Sequence, residues 1–299
     1  MSNSQQSPQF RSGLVALSGP TNAGKSTLLN RLVGEKIAIA TPKPQTTRHQ
    51  IKGVYTDATC QIIFCDTPGF HDHEALFNRE LMRIATETLA DVDVICLLLD
   101  AWDPKWRWLA LPALVTLAPK VLVLFNKADT LSLDARETLL RAYRAQHFPF
   151  PCQFISAATG EGVEALMETL RSRLPEGPMY YPEDTLTDRN MRFLAAEIIR
   201  EKCFLVLEQE LPYGLAILID DFKEGRVTDI AATIVVARDS HKGMVIGKGG
   251  TILKRIGGLA REELERQLES KVMLRLFVRV EKDWMKNERK IKEFVYREN

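Results

Sequence analysis

The run Gly19-Pro-Thr-Asn-Ala-Gly-Lys-Ser26 constrains the fold of this chain more than any other feature. It fits G-x-x-x-x-G-K-[ST] and lies between an apolar run, Leu14–Ser18, and an amphipathic stretch, Lys25–Val33. A strand, a Gly-rich turn and a helix in that order aim several backbone N–H groups at one spot, and the helix N-terminus adds a partial positive charge. Such a cradle suits phosphate oxygens. Lys25 would reach the β- and γ-phosphates and Ser26 is placed for Mg²⁺, so Gly19, Pro20, Thr21, Asn22, Ala23, Gly24, Lys25 and Ser26 form the first predicted contact set.

Around this run, strand-length apolar segments alternate with helix-length amphipathic ones up to about Leu174. Predicted strands are Leu14–Ser18, Ile51–Tyr55, Gln61–Cys65, Val92–Asp100, Lys120–Asn126 and Cys152–Ser156. Predicted helices are Lys25–Val33, Glu74–Leu89, Trp106–Leu117, Leu133–Gln146 and Val163–Leu174. The alternation predicts an α/β P-loop domain with a mixed, mostly parallel sheet. Residues 1–12 read as a polar tail, 13–175 as this domain and 176–187 as a linker, since Pro175–Asp184 packs three prolines and a glycine into ten residues. Residues 188–299 read as a second, α+β domain. Its pattern is a helix, a strand pair (Gly214–Asp221, Val227–Ala237), a Gly-rich turn (Gly243–Gly250), a helix (Thr251–Glu269), a strand (Lys271–Val280) and a short last helix.

Three more short motifs follow in chain order at predicted strand ends. In Asp66-Thr67-Pro68-Gly69 an Asp can hold a metal through water and the Gly N–H can bind a γ-phosphate; Phe70 comes next. Asn126-Lys127-Ala128-Asp129 selects the base. A carboxylate accepts paired hydrogen bonds from guanine N1–H and N2–H₂, adenine offers nothing equivalent, and unpaired buried polar groups reject the wrong partner. Lys127 would lie along the ring with its stem, while Ser156 and Ala157 would turn backbone N–H groups toward guanine O6. Read alone, Asp66–Gly69 is a capped Pro-Gly turn. Four motifs in order predict GTP as substrate, GDP as product, and Ser26 and Asp66 as Mg²⁺ ligands.

The downstream segment carries Val245-Ile246-Gly247-Lys248-Gly249-Gly250, a G-x-x-G loop ahead of a helix. Such a loop admits a nucleic-acid backbone closely and clamps about four nucleotides. The predicted RNA contacts are Ile246, Gly247, Lys248, Gly249, Gly250, Lys254, Arg255 and Arg275, with Ile246 and Ile252 flooring an apolar groove. Arg261 and Arg266 read instead as a solvated helix face.

The element order of residues 188–299 resembles a type II KH domain. The motifs upstream resemble translation-factor-like GTPases, and together the two halves resemble the Era family of bacterial GTPases over nearly the whole chain. By that resemblance Gln45-Thr46-Thr47-Arg48-His49 is the first switch, and Thr47 or Thr46 binds Mg²⁺ when GTP is present. Asn22 stands where related GTPases hold a potassium ion, so it either holds K⁺ between the phosphates or supports the loop turn. Phe70 replaces the water-orienting glutamine of Ras-type GTPases, which implies slow intrinsic turnover or a different device. No catalytic residue is assigned; Asn22, Lys25 and Thr47 are expected to support the transition state. His71 and His73 read as exposed switch-loop residues. The resemblance also implies a monomeric cytoplasmic switch that binds the 3′-end region of 16S rRNA in 30S subunit assembly, with weak peripheral association with the inner membrane as an added expectation.

The overall composition of the chain misleads. Forty basic and 39 acidic residues give a net charge of +1, which discourages a nucleic-acid partner. Counted by segment, residues 1–179 hold 18 basic and 18 acidic side chains, 180–237 hold 6 and 11, and 238–299 hold 16 and 10. The basic excess sits with the G-x-x-G loop. The 45% apolar content argues against a disordered chain, and five unpaired-looking cysteines argue against a disulfide scaffold. Two rival functions remain: an RNA-binding module with a purely structural nucleotide, and a membrane-associated signalling GTPase.

Overall fold

The computed structural model describes residues 10–41, 51–67, 89, 91–110, 112–208 and 211–295, which fall into two compact units. In the first, the strands are β1 (Arg11–Ser18), β2 (Ile51–Thr56), β3 (Cys60–Asp66), β4 (Val94–Asp100), β5 (Val121–Asn126) and β6 (Cys152–Phe154). They form one sheet in the order β2-β3-β1-β4-β5-β6, with β2 antiparallel to β3 and the other pairs parallel. The central strands β4 (VICLLLD) and β5 (VLVLFN) are almost unbroken apolar runs because a parallel sheet covered on both faces buries every side chain. Among the described residues its named α-helices are α1 (Lys25–Val33), α2 (Pro112–Thr116), α3 (Leu133–Ala145) and α4 (Val163–Arg173). Chain order reverses direction across the sheet at β1, so the loop leaving β1 lies at the switch point where such sheets bind ligands.

The predicted helix Trp106–Leu117 divides into a 3₁₀ turn, Trp106–Trp108, and the short α2. Pro112 has no N–H to continue a preceding helix and instead opens a new one. Trp106 packs on Phe125, Tyr143 and Phe148, and Trp108 is buried. The predicted helix Glu74–Leu89 lies almost wholly outside the described residues, as do Gln45–His49, Pro68–Phe70, His71 and His73.

The β2–β3 turn is fastened to α4 by one carboxylate. Asp57 accepts from the Thr59 N–H and hydroxyl (both 2.7 Å), the Cys60 N–H (2.9 Å) and Arg171 Nη2 (2.7 Å). Burial alone would raise its pKa, but the Thr59, Cys60 and Arg171 donors outweigh burial and hold it below the usual carboxylate range. A depressed folded-state pKa stabilises above the unfolded value, about 3.9, and that stabilisation is lost as pH falls through the folded value. Asp57→Asn is therefore expected to cost about 1–3 kcal/mol at pH 7, with the gap to wild type closing below about pH 4. Denaturant midpoints at pH 7 and pH 3.5 check this; a gap independent of pH would be inconsistent with it.

The second unit holds α5 (Met191–Val206), β7 (Leu215–Lys223), β8 (Val227–Val236), α6 (Asp239–Ile246), α7 (Thr251–Gln267), β9 (Lys271–Val280) and α8 (Glu288–Val295). The sheet order is β7-β8-β9, with β7 antiparallel and β9 parallel to β8. Helices α5 and α7 cover one face around Ile199, Cys203, Ile230, Ile234, Ile256 and Leu264, all buried. On the other, Trp284 is fully buried, packs edge-on against Phe294 of α8 and donates its indole N–H to the Gly214 C=O. The Gly-rich turn expected from Gly243 starts later than predicted. Helix α6 runs through Gly243 and ends only at Gly247, in the left-handed region at φ 74°. Glycine's weak helix propensity suggested a turn, but the buried Val245 holds the segment helical.

Candidate functional site

At the end of β1 the chain turns through Gly19 (φ 134°), Asn22 (φ 62°) and Gly24 (φ 95°) into α1. Gly24 permits nothing larger: besides its left-handed backbone, a Cβ there would lie 2.1 Å from Asn126 Nδ2. Asn22 takes the left-handed conformation that Asn tolerates, which suits the turn role and leaves the potassium role open. Lys25 is buried and donates to the Gly19 and Pro20 carbonyls at 3.1 and 2.9 Å, curling the loop around its ammonium. Burial lowers its pKa to about 8, with the Asp66 charge opposing that shift. An ammonium stripped of water in this way is poised to gain from phosphate oxygens.

Ser26 donates its hydroxyl to Asp66 Oδ2 at 2.7 Å. A hydroxyl and a carboxylate are the hard oxygen donors that Mg²⁺ prefers. Among the described residues no group of three or more His, Cys, Asp or Glu side chains converges. The donor set therefore fits an ion that one or two side chains share with phosphate oxygens and water. Thr67 is fully buried and donates its hydroxyl to the Leu17 C=O at 3.0 Å, tying the start of the Asp66–Gly69 motif to β1.

The residues expected to read the base meet at the ends of β5 and β6. Asn126 donates through Nδ2 to the Ala23 C=O (2.7 Å) and accepts the Ala157 N–H at Oδ1 (2.9 Å), linking the phosphate loop to the loop after β6. Lys127, at φ 66°, pairs its ammonium with Asp100 at 2.6 Å, which fixes the direction of its stem. Ala128 is buried, and Asp129 is exposed with its carboxylate unclaimed among the described residues. The two predicted O6 donors are already engaged: Ser156 N–H bonds the Glu161 C=O at 2.8 Å and Ala157 N–H bonds Asn126. Ala158 N–H has no partner among the described residues, a distinction that spacing does not reveal.

In the second unit the G-x-x-G loop joins α6 to α7, rather than following a strand, and Gly247, Gly249 and Gly250 all have positive φ. A Cβ at Gly247 would lie 2.7 Å from the Ile252 side chain. Beside the loop runs a groove of about 460 Å³ lined by Gly250, Leu253, Lys254, Gly257, Gly258, Arg261, Leu274 and Leu276. Positions 254, 257, 258 and 261 share one face of α7, where the glycine pair leaves open space and the two cations stand at the rim. The apolar floor is Leu253, Leu274 and Leu276, while Ile252 packs beneath Gly247 against the core. Arg261 thus joins the groove rather than a purely solvated face. Arg255 does not line it. Arg275 stands among the exposed odd positions of β9, whereas Leu274 and Leu276 face α7, and its Nη2 donates to both carboxylate oxygens of Asp229 at 2.9 Å. A Gly-Gly pair within a helical pattern was the available signal, since two glycines there are costly without a local reason.

Residues 14–127 match the family model described as "50S ribosome-binding GTPase", and residues 210–285 match that of the KH domain. GTPase Era of Geobacter metallireducens is 45% identical over 293 residues, covering 96% of this chain and 98% of that protein. The chain belongs to the Era family of GTPases. GTPase Era of Syntrophus aciditrophicus is 44% identical over 97% of the chain and 96% of its own length. Among solved structures, an Era variant from Aquifex aeolicus bound to GDP·AlF₄⁻ superposes with a TM-score of 0.91 at 36% identity, covering 96% of this chain and 99% of that one. An Era complex with MgGDPNP and nucleotides 1506–1542 of 16S ribosomal RNA gives 0.92 at the same identity and coverage. This chain is accordingly a GTPase, a P-loop domain followed by a KH domain, as the Era fold requires. No helix among its described residues is long and apolar enough to cross a membrane.

Proposed function

We propose that this Era-family GTPase is a GTP-driven switch that holds a single-stranded segment near the 3′ end of 16S rRNA during assembly of the small ribosomal subunit in the cytoplasm. The observation that carries the proposal is the presence on one chain of a guanine-reading site and an open, cation-rimmed groove beside a G-x-x-G loop. Related Era proteins bind GDP·AlF₄⁻, and MgGDPNP together with a 16S rRNA fragment, which supports the assignment of both sites.

In this reading residues 13–175 bind nucleotide, 176–187 connect and 188–299 bind RNA. The loop Gly19–Ser26 wraps the phosphates and Lys25 neutralises them. Asp66 and Ser26, with Thr47, would hold Mg²⁺, which would offset the negative charge of the phosphates. Asn22 would place K⁺ beside the same oxygens, and Asp129 selects guanine. Coupling requires the groove to bind RNA differently in the two nucleotide states, since a nucleotide indifferent to RNA shifts nothing.

The test is binding of a labelled oligonucleotide from the 16S 3′ end to the full chain loaded with GDP or with a non-hydrolysable GTP analogue. At least a fivefold difference is expected, about 1 kcal/mol of coupling. Equal affinities in the two states would sink the switch while leaving both binding sites intact.

A further inference from the structure

The base is read by two short loops, the turn 127–130 after β5 and the loop 156–161 after β6. Each is gripped by an arginine from a helix. Arg31, in the last turn of α1, donates through Nε to the Ala157 C=O at 2.6 Å and through Nη2 to the Ala158 C=O. Gly160 faces the guanidinium; a Cβ there would stand 3.1 Å from Nη1. Arg136 of α3 donates through Nη2 to the Ala128 C=O at 2.6 Å and pairs with both oxygens of Glu161. The Glu161 C=O in turn accepts the Ser156 N–H at 2.8 Å.

A trans peptide unit points its N–H opposite to its C=O. Holding the Ala157 C=O therefore sets the direction of the Ala158 N–H, the donor in the 156–158 run left without a partner among the described residues. Holding the Ala128 C=O sets the peptide plane that leads into Asp129. A planar guanidinium fork fixes two acceptors at once, which a single ammonium point charge does less well.

We propose that Arg31 and Arg136 are positioning residues for base selection: Arg31 aims the Ala158 N–H at guanine O6, and Arg136 holds the turn that presents Asp129 to N1 and N2. Neither touches the nucleotide. The inference deepens the guanine-site reading above and rests on it.

Two base analogues taken together resolve the contacts on the full chain, by competition of unlabelled nucleotides against a fluorescent GDP. Inosine diphosphate lacks the N2 amine and reports the Asp129 contact. The diphosphate of 2-aminopurine riboside lacks O6 and with it the N1 proton, so a change in its ratio that leaves the inosine ratio alone reports the Ala158 contact. For Arg31→Ala, GDP affinity is expected to fall about tenfold. The preference for GDP over the 2-aminopurine nucleotide should shrink by a similar factor, while the GDP-to-inosine ratio holds. For Arg136→Ala the GDP-to-inosine ratio should shrink as well. Arg31→Lys should recover part of the loss, and it carries the same ratios if the alanine variant does not fold.

A uniform loss for all three nucleotides in the Arg31 variants, with both ratios unchanged, would overturn the proposal and make Arg31 a mere brace. Asp129→Asn is the separate control. If that change leaves the GDP-to-inosine ratio intact, the guanine site itself is misassigned.

Discussion

Asp129→Asn is expected to turn the guanine site into a xanthine site. In the proposed site the carboxylate of Asp129 accepts from N1–H and N2–H₂, two hydrogen bonds to a charged acceptor worth about 1.5–3 kcal/mol each. Asparagine keeps one acceptor but replaces the other with an NH₂ donor. That donor faces the guanine amine, also a donor, so the pair cannot form. Xanthine carries a carbonyl at C2 and restores the match. GDP affinity should therefore fall roughly 100-fold or more, and xanthosine diphosphate should become the better ligand. The inversion separates this prediction from simple damage, because a collapsed site would lose both nucleotides. Displacement of a fluorescent nucleotide by each diphosphate measures it. Undiminished GDP binding would show that Asp129 does not read the base.

What was legible in the sequence was whatever local spacing encodes. The helix after the phosphate loop has the predicted bounds, Lys25–Val33, and β9 spans Lys271–Val280 as expected. Each is bounded by glycine or turn residues and keeps one period throughout. Local rules failed where tertiary packing overrode them. Helix α6 passes through Gly243 because Val245 anchors it in the core. The segment from Trp106 breaks because Pro112 cannot extend a helix begun before it.

The site divides along the same line. Gly19–Ser26, Asp66, Asn126 and Asp129 stand at strand ends, where motif spacing puts them. The grip of Arg31 on Ala157 spans 126 residues, and no periodicity links those positions. The engagement of the Ser156 and Ala157 N–H groups depends on Glu161 and Asn126 reaching them, which only the folded loop reveals. The groove is the middle case: the G-x-x-G loop was visible, but the liners Gly257 and Gly258 read merely as poor helix formers. Alternation along β9 could have placed Arg275 away from Leu274 and Leu276, yet its positive charge drew it into the RNA set.

Gly257→Leu is expected to separate folding from RNA capture. Gly257 lies in the interior of α7, and a Cβ there would meet only Leu276 Cδ1, at 3.5 Å, an ordinary contact. Leucine is a far better helix former, so the change should be neutral or stabilising by up to about 0.8 kcal/mol. Its remaining atoms extend into the groove of about 460 Å³ and would occupy space that unstacked bases need in the proposed RNA site. Losing one or two bases from an apolar platform costs about 1–3 kcal/mol each, so affinity for a single-stranded 16S 3′-end oligonucleotide should fall roughly 10- to 100-fold or more. Lys254→Ala provides the contrast. Removing one rim cation should weaken binding of all sequences alike and reduce the steepness of the salt dependence by about one ion. Anisotropy titrations at several salt concentrations, run beside thermal melts, distinguish the two variants. A Gly257→Leu protein that melts no lower than wild type and still binds the oligonucleotide at full strength would place the RNA elsewhere on the unit.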